Sequence, residues 1–268
     1  MTVKTIQTTT DTLRLGRNRP VARCSALLLG NYLTRGYAAP PAACNWTAAA
    51  EPALKKMYLN NKLGCCVIAW GAHMEGVLTG NASGAPIIYT DKQIANQYSA
   101  IGGYVPGDAS TDQGCDEETA LNYWVQHGFA GGTKIAAWMR VNGADPGEVR
   151  AAIDLFGTVT FTAELPDAWI QNAPRPGFVW APAGPSDPNN GHCFGAASYT
   201  PTLFGDCTWG MQGSITPAAV AEYCVPAAGG GCYTVVTQDW IKKATQKSPS
   251  GFNLSQLLAH LDSMRREA

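Results

Sequence analysis

The chain has 268 residues, 46% of them apolar and 15% charged, with a formal net charge of −1. That length and composition predict a globular chain of one large domain or two modest lobes and exclude a disordered one. No basic surplus is present to neutralise phosphates, which argues against a nucleic-acid partner, and apolar runs such as 26–29 and 65–70 are too short to span a bilayer.

Residues 1–37 read as an N-terminal arm with little periodicity and several basic side chains. They carry no basic-then-apolar leader, because 8–12 is polar and 13–23 is basic and broken by Pro20. The expected location is therefore cytoplasmic, with no membrane partner. The arm is expected to lie on the outer surface or to reach a protein partner. Residues 38–62 read as loop. A helix is predicted over 66–78, with Val67, Trp70, Met74 and Val77 at three- and four-residue spacing and Gly80 as its end. Further helices are predicted over 91–99, capped by Thr90, over 116–127, with acidic residues in its first turn, and over 147–156.

After Phe156 the texture changes. Strands are predicted over 158–164, 192–199 and 233–237, a Pro/Gly-rich loop over 172–190, a short helix over 215–223 and an amphipathic closing helix over 254–264. The expected class is α+β: a domain over 38–240, its helical first lobe about 60–145 and its strand-rich second lobe about 150–240, then a helical 241–268.

The stretch Asn60-Asn61-Lys62-Leu63-Gly64-Cys65-Cys66 runs straight into an apolar helix. Helix N-termini offer unpaired amides that favour a thiolate, so Cys66 is a candidate nucleophile. Its own amide and the Asn60 side chain are candidate donors to an oxyanion. Buried, inert residues at a helix start are the competing reading for Cys65 and Cys66. Among four histidines, His192 follows a Gly-rich loop and opens a strand, so it is the candidate base. His73 is expected to pack, His127 to cap a helix end and His260 to sit on the closing helix. Nine cysteines without a Cys-x-x-Cys pair argue against a zinc site, and no metal or cofactor is expected.

Several segments, in chain order, resemble the papain-like cysteine peptidase superfamily. Pro40-Pro41-Ala42-Ala43-Cys44-Asn45-Trp46 is similar to the proline-led start of a mature domain, and Asn60 and Cys66 fall at its oxyanion glutamine and nucleophile positions. Thr90-Asp91-Lys92-Gln93 is similar to its second helix start. Gln113-Gly114-Cys115 with Ala120, Tyr123 and Gly128 resembles its Gly-Cys segment, Gly191-His192-Cys193 its histidine strand and Thr208-Trp209-Gly210 its Ser-Trp-Gly turn. The chain most resembles uncharacterised papain-like proteins of bacteria and bacteriophages.

The resemblance implies two lobes: a central helix starting at Cys66 in the first, an antiparallel sheet or barrel in the second, and a peptide or acyl substrate between them. It implies a Cys66–His192 dyad, Trp209 sheltering the imidazole and Cys207 at the orienting asparagine position, with Asp206 the nearby carboxylate. Three readings stay open: a cysteine peptidase or related thiol acyl-hydrolase, a non-catalytic scaffold for binding or for a virion, and a thiol acyltransferase.

Overall fold

The computed structural model describes residues 3–8, 11–20, 27–34, 37–130, 132–171, 173–246 and 252–267. The chain opens with an antiparallel hairpin of β1 (Lys4–Gln7) and β2 (Thr12–Leu15), followed by the short strands β3 (Leu27–Leu28) and β4 (Cys44–Asn45). A helical part comprises α1 (Glu51–Leu54), α2 (Cys66–Ser83), α3 (Asp91–Gly102) and α4 (Glu117–His127). The remainder alternates β5 (Ile135–Val141), α5 (Pro146–Phe156), β6 (Val159–Pro166), α6 (Asp167–Gln171), β7 (Val179–Trp180), β8 (Ser186–Tyr199), β9 (Phe204–Thr208), β10 (Met211–Ile215), α7 (Pro217–Tyr223) and β11 (Gly231–Thr237). Helices α8 (Gln238–Gln246) and α9 (Leu254–Glu267) follow.

Helix α2 is buried on all sides from Cys66 to Val77 and is apolar there except for the buried His73 and Glu75. Val67, Trp70 and Met74 are all buried, as their spacing predicts. The helix runs past the expected stop at Gly80. That glycine is there for packing, since a Cβ would lie 2.8 Å from the Ala49 carbonyl oxygen, and the left-handed cap is Gly84 at φ 79°. Thr90 and Gln93 form a reciprocal capping box on α3, and Asp116 caps α4.

The main sheet has nine strands in the order β3-β5-β11-β6-β8-β9-β10-β7, with β4 added on β8. Its centre is antiparallel: Phe161 of β6 pairs with Phe194 of β8, and Gly195 of β8 with Cys207 of β9. The expectation of a barrel is corrected. The edges are two-residue strands, β3 on β5 and β7 on β10, both parallel, so the sheet ends open. Strand alternation sorts β8 onto two faces. Phe194 joins Phe161, Trp180 and Phe204 in one core, while Cys193 joins Cys66, Trp70, Cys207 and Tyr233 in the other, against α2. Among the described residues no helix is long and apolar enough to cross a membrane.

Two features depart from the expected organisation. Strand β5 lies in the half read as helical, with Ile135, Ala137, Met139 and Val141 buried in strict alternation. Among its described residues the arm forms the β1–β2 hairpin, and Arg14 of β2 exchanges bonds with Asn60 of the helical part.

Candidate active site

Cys66 is the first residue of α2, preceded by Cys65 as a cap that offers no side-chain bond. The approach to it is tightly wound. Tyr58 and Leu59 have φ of 47° and 62°, the left-handed region that side-chain-bearing residues avoid. This turn presents Asn60, whose Nδ2 donates to the Leu63 carbonyl at 3.2 Å and to the Arg14 carbonyl at 3.1 Å. One amide hydrogen therefore braces its own loop, and the other holds a peptide carbonyl supplied by the N-terminal hairpin.

The backbone amides of Cys193 of β8, of Gly16 and of Val67 in the first turn of α2 act to lower the Cys66 thiol. Burial nevertheless pushes the thiol up to about 11, and the neighbouring Glu117 carboxylate adds to this. His192 immediately precedes Cys193 in β8, so its side chain takes the opposite face of the strand from Cys193 and the Cys66 sulfur and stacks on Phe194; the expected Cys66–His192 pair is not brought together here. His192 is fully buried, and burial lowers its imidazole to about 3. Its Nε2 is 2.7 Å from the Thr208 hydroxyl, while Nδ1 has no hydrogen-bond partner. The ring stacks on Trp209, with centroids 4.1 Å apart and planes at 16°.

The imidazole's partner is thus Thr208, not Cys207 or Asp206. The register that pairs Gly195 with Cys207 leaves Cys207 on the α2 face, where its thiol donates to the Leu54 carbonyl at 3.5 Å. Asp206 is buried and neither carboxylate oxygen has a hydrogen-bond partner; burial raises it well above the usual carboxylate range. Trp209 covers the imidazole as expected from its position in the turn. It occupies a two-residue connection with Gly210, both at positive φ (48° and 67°), between the paired residues Thr208 and Met211. Its indole N–H donates to the Arg14 carbonyl at 3.1 Å.

The segment after β2 runs between the helical part and the sheet, which corrects the expectation of an arm on the outer surface. The Cys115 N–H donates to the Gly16 carbonyl at 3.1 Å, the Arg17 N–H to the Gly191 carbonyl at 3.0 Å and the Asn18 N–H to the Cys115 carbonyl at 3.0 Å. The segment is therefore extended and bonded on both sides, to the helical part through Cys115 and to the sheet through Gly191. It passes through a slot without room for side chains. A Cβ on Gly16 would lie 2.0 Å from the Gly64 carbonyl oxygen, and one on Gly114 1.8 Å from the Gly16 oxygen. Asp112 fixes both walls: it accepts the Gly64 N–H at 3.0 Å and the Tyr98 hydroxyl at 2.7 Å, and that hydroxyl accepts the Gly114 N–H at 2.7 Å.

Among solved structures the chain is similar to xylellain, a cysteine protease from Xylella fastidiosa, with a TM-score of 0.63 and 14% identity over 83% of this chain and 96% of that one. It is similar to digestive procathepsin L 3 of Tenebrio molitor larval midgut, with a TM-score of 0.55 and 12% identity over 80% and 76% of the two chains. It is also similar to the bromelain protease of Ananas comosus, solved with the E64 inhibitor, with a TM-score of 0.53 and 12% identity over 74% and 100%. The chain has the papain-like fold. No family model and no curated protein matches the sequence. Within this papain-like frame, sequence reasoning missed Thr208, Gly16, Arg17 and Glu117. Thr208 lies inside the Thr208-Trp209-Gly210 turn, where strand alternation could have singled it out. Glu117 reads as an ordinary helix-start acid until its burial is seen.

Proposed function

We propose that this chain is a papain-like thiol hydrolase acting on peptides, held in a self-blocked state by its own N-terminal segment. The observation that carries this reading is the extended stretch from Gly16 to Asn18, bonded through its backbone to both walls of the cleft directly over the Cys66 sulfur. A cleft that binds one peptide main chain in this way is built to bind others.

In this reading Cys66 is the nucleophile, and His192 takes its proton through Nδ1 once departure of the segment lets the ring, here stacked on Trp209 and Phe194 on the other face of β8, turn towards the sulfur. Thr208, accepting the Nε2–H, fixes the tautomer and the ring plane. The thiolate attacks a substrate carbonyl carbon, and the oxyanion is met by the Cys66 amide and Asn60 Nδ2. The imidazolium then protonates the departing amine, and water releases the acyl group from the sulfur. The resident segment is a blocker rather than a substrate: Gly16 offers the sulfur an N–H, not a carbonyl carbon, and Asn60 holds the carbonyl of Arg14, two residues away. Burial keeps thiol and imidazole neutral, and with the ring on the far face of β8 neither activates the other in this blocked state.

The second reading, a non-catalytic scaffold with a permanently filled cleft, draws on the same closure. Iodoacetamide labelling followed by mass mapping separates the two. In the intact chain Cys66 should label more slowly than a free thiol at pH 7. In Gly16→Leu, whose side chain the slot cannot take, Cys66 should label at least tenfold faster, with a reactive limb extending below pH 7 that His192→Ala removes. Cys66 labelling in Gly16→Leu with the pH dependence of a free thiol and no response to His192→Ala would establish the scaffold.

A further inference from the structure

We propose that a second cavity, lined by the half of α2 remote from Cys66, binds a small amphiphilic amine: a ligand with an apolar body and one cationic group. The proposal goes beyond the hydrolase reading and does not depend on it.

The cavity holds about 840 Å³, within the roughly 300–1,000 Å³ of sites that bury a small molecule. It is bounded by the last turns of α2, the end of α5, the start of β5 and the first turn of α8, with residues 37–41 along one side. Apolar side chains make most of its wall, Trp46, Leu78, Ile135, Phe156 and Trp240 among them. That wall is fixed in place by the protein itself. The Trp46 indole N–H donates to the Ile153 carbonyl at 2.9 Å and the Trp240 indole N–H to the Leu155 carbonyl, so α5 holds both rings. Asn81 donates to the Trp46 carbonyl at 2.8 Å and ties the same wall to α2. A ligand entering such a site has little protein left to order.

Among the described residues four charged side chains line the cavity: Glu75, Asp154, Asp239 and Lys134. Two are already engaged. Lys134 donates to the Gln126 carbonyl at 2.5 Å, and Asp239 lies 3.6 Å from Lys242. Glu75 and Asp154 remain, and neither makes an ion pair among the described residues. Glu75 is 2% exposed in the middle of α2, and Asp154 is half-buried on α5. Burial raises both carboxyls, Glu75 to about 7. An apolar ligand alone would cover these acids and leave them without a counter-charge, which is costly. An anionic ligand would meet two groups of its own sign. The N-terminus of α8 does not offset that, because Thr237 already accepts the Trp240 N–H at 3.1 Å and Asp239 stands in the first turn. An ammonium on an apolar body answers both features: the charge pairs with the acids, and the body covers the wall, where indole rings also favour a cation.

Dansylcadaverine, a primary amine on an aromatic body, is titrated against the full-length chain at pH 8 and followed by dansyl emission. Its N-acetyl derivative keeps the body and lacks the charge, and dansylaminohexanoate carries the opposite charge. The expected order of affinity is amine, acetyl derivative, acid, with at least tenfold between the first two. Glu75→Gln combined with Asp154→Asn should shrink that gap to about twofold without weakening the acetyl derivative. Ala82→Trp, at an exposed position of the cavity wall where a larger side chain spares the core, should weaken the amine and the acetyl derivative at least tenfold. Equal affinity for these two probes, binding of none, an unchanged gap in the double variant, or parent affinity in Ala82→Trp overturns the site. Failure of the hydrolase reading shows separately, as Cys66 labelling that ignores His192→Ala in protein that still prefers the amine.

Discussion

The imidazole of His192 is held by one hydroxyl and one aromatic face. Trp209 supplies the face from a left-handed backbone conformation that costs roughly 1–3 kcal/mol, a strain held by the indole bond to Arg14 and the stack on the ring. Thr208 supplies the only hydrogen bond the ring makes among the described residues. Its proposed role is to position the ring, and that is separable from general packing. In a Gly16→Leu background, Thr208→Val keeps shape and loses the hydroxyl. It is expected to slow iodoacetamide labelling of Cys66 at least tenfold at pH 7, while Thr208→Ser restores most of the rate. Equal loss in Ser and Val variants would mean the methyl, and hence packing, is what matters.

At the scale of elements, α2 and its partners are legible in the sequence because their signals are local. Gly64, an unbroken apolar run and Thr90 with Gln93 define two helices without reference to anything distant. The N-terminal hairpin is not legible in the same way. Leu13 and Leu15 alternate as a strand should, and both are buried, but Arg14, Arg17 and Arg19 between and after them read as a solvated basic arm. Their partners, Asn60, Gly229 and Glu164, lie 46 to 212 residues away in sequence, and only the fold brings them together. The start of α2 at Cys66 is legible through the motif around it, while motif alignment ignores which face of β8 and β9 each side chain takes: His192 lies with Phe194 and Thr208, whereas Cys193 and Cys207 face α2. The glycine slot depends likewise on a distant relay through Asp112 and Tyr98. Tyr98→Phe deletes the hydroxyl joining the two walls, and a net loss of about 1 kcal/mol is expected for such a bond. That should appear as several-fold faster hydrogen exchange at Gly16 and Arg17 relative to the amides of β6 and β8. A uniform increase over all these amides would show that the relay supports the fold at large and not the slot.

Over the whole molecule, buried ionisable groups of opposite sign set how stability varies with pH. Burial lowers His73 to about 4 and His192 to about 3, and raises Glu75 and Glu117 to about 7. For the histidines the folded value lies below the unfolded one of about 6.5, so their contribution is complete above that pH and is lost on acidification towards the folded values. For the glutamates the folded value lies above the unfolded 4.5, so their contribution is complete below pH 4.5 and is lost as pH rises to about 7. Between about pH 4.5 and 6.5 the two pairs oppose each other, and above 6.5 only the glutamates still change. Asp206, also raised by burial, adds to the loss on the alkaline side. Glu75 isolates one component, because it lies in the middle of α2, remote from the cleft segment, and the Thr133 and Trp124 side chains only partly offset its burial. Moving its carboxyl from 4.5 to about 7 corresponds to roughly 3 kcal/mol between the two ends of the window. Urea unfolding of Glu75→Gln and the parent at pH 4.5 and pH 8 should therefore diverge: the variant is expected to lose less stability over that interval, by an amount approaching that figure. His73→Gln should do the opposite, flattening the acid side between pH 6.5 and 4. A Glu75→Gln profile parallel to the parent's would mean the carboxyl is hydrated and ionised in the folded chain, and that the centre of α2 is open to water.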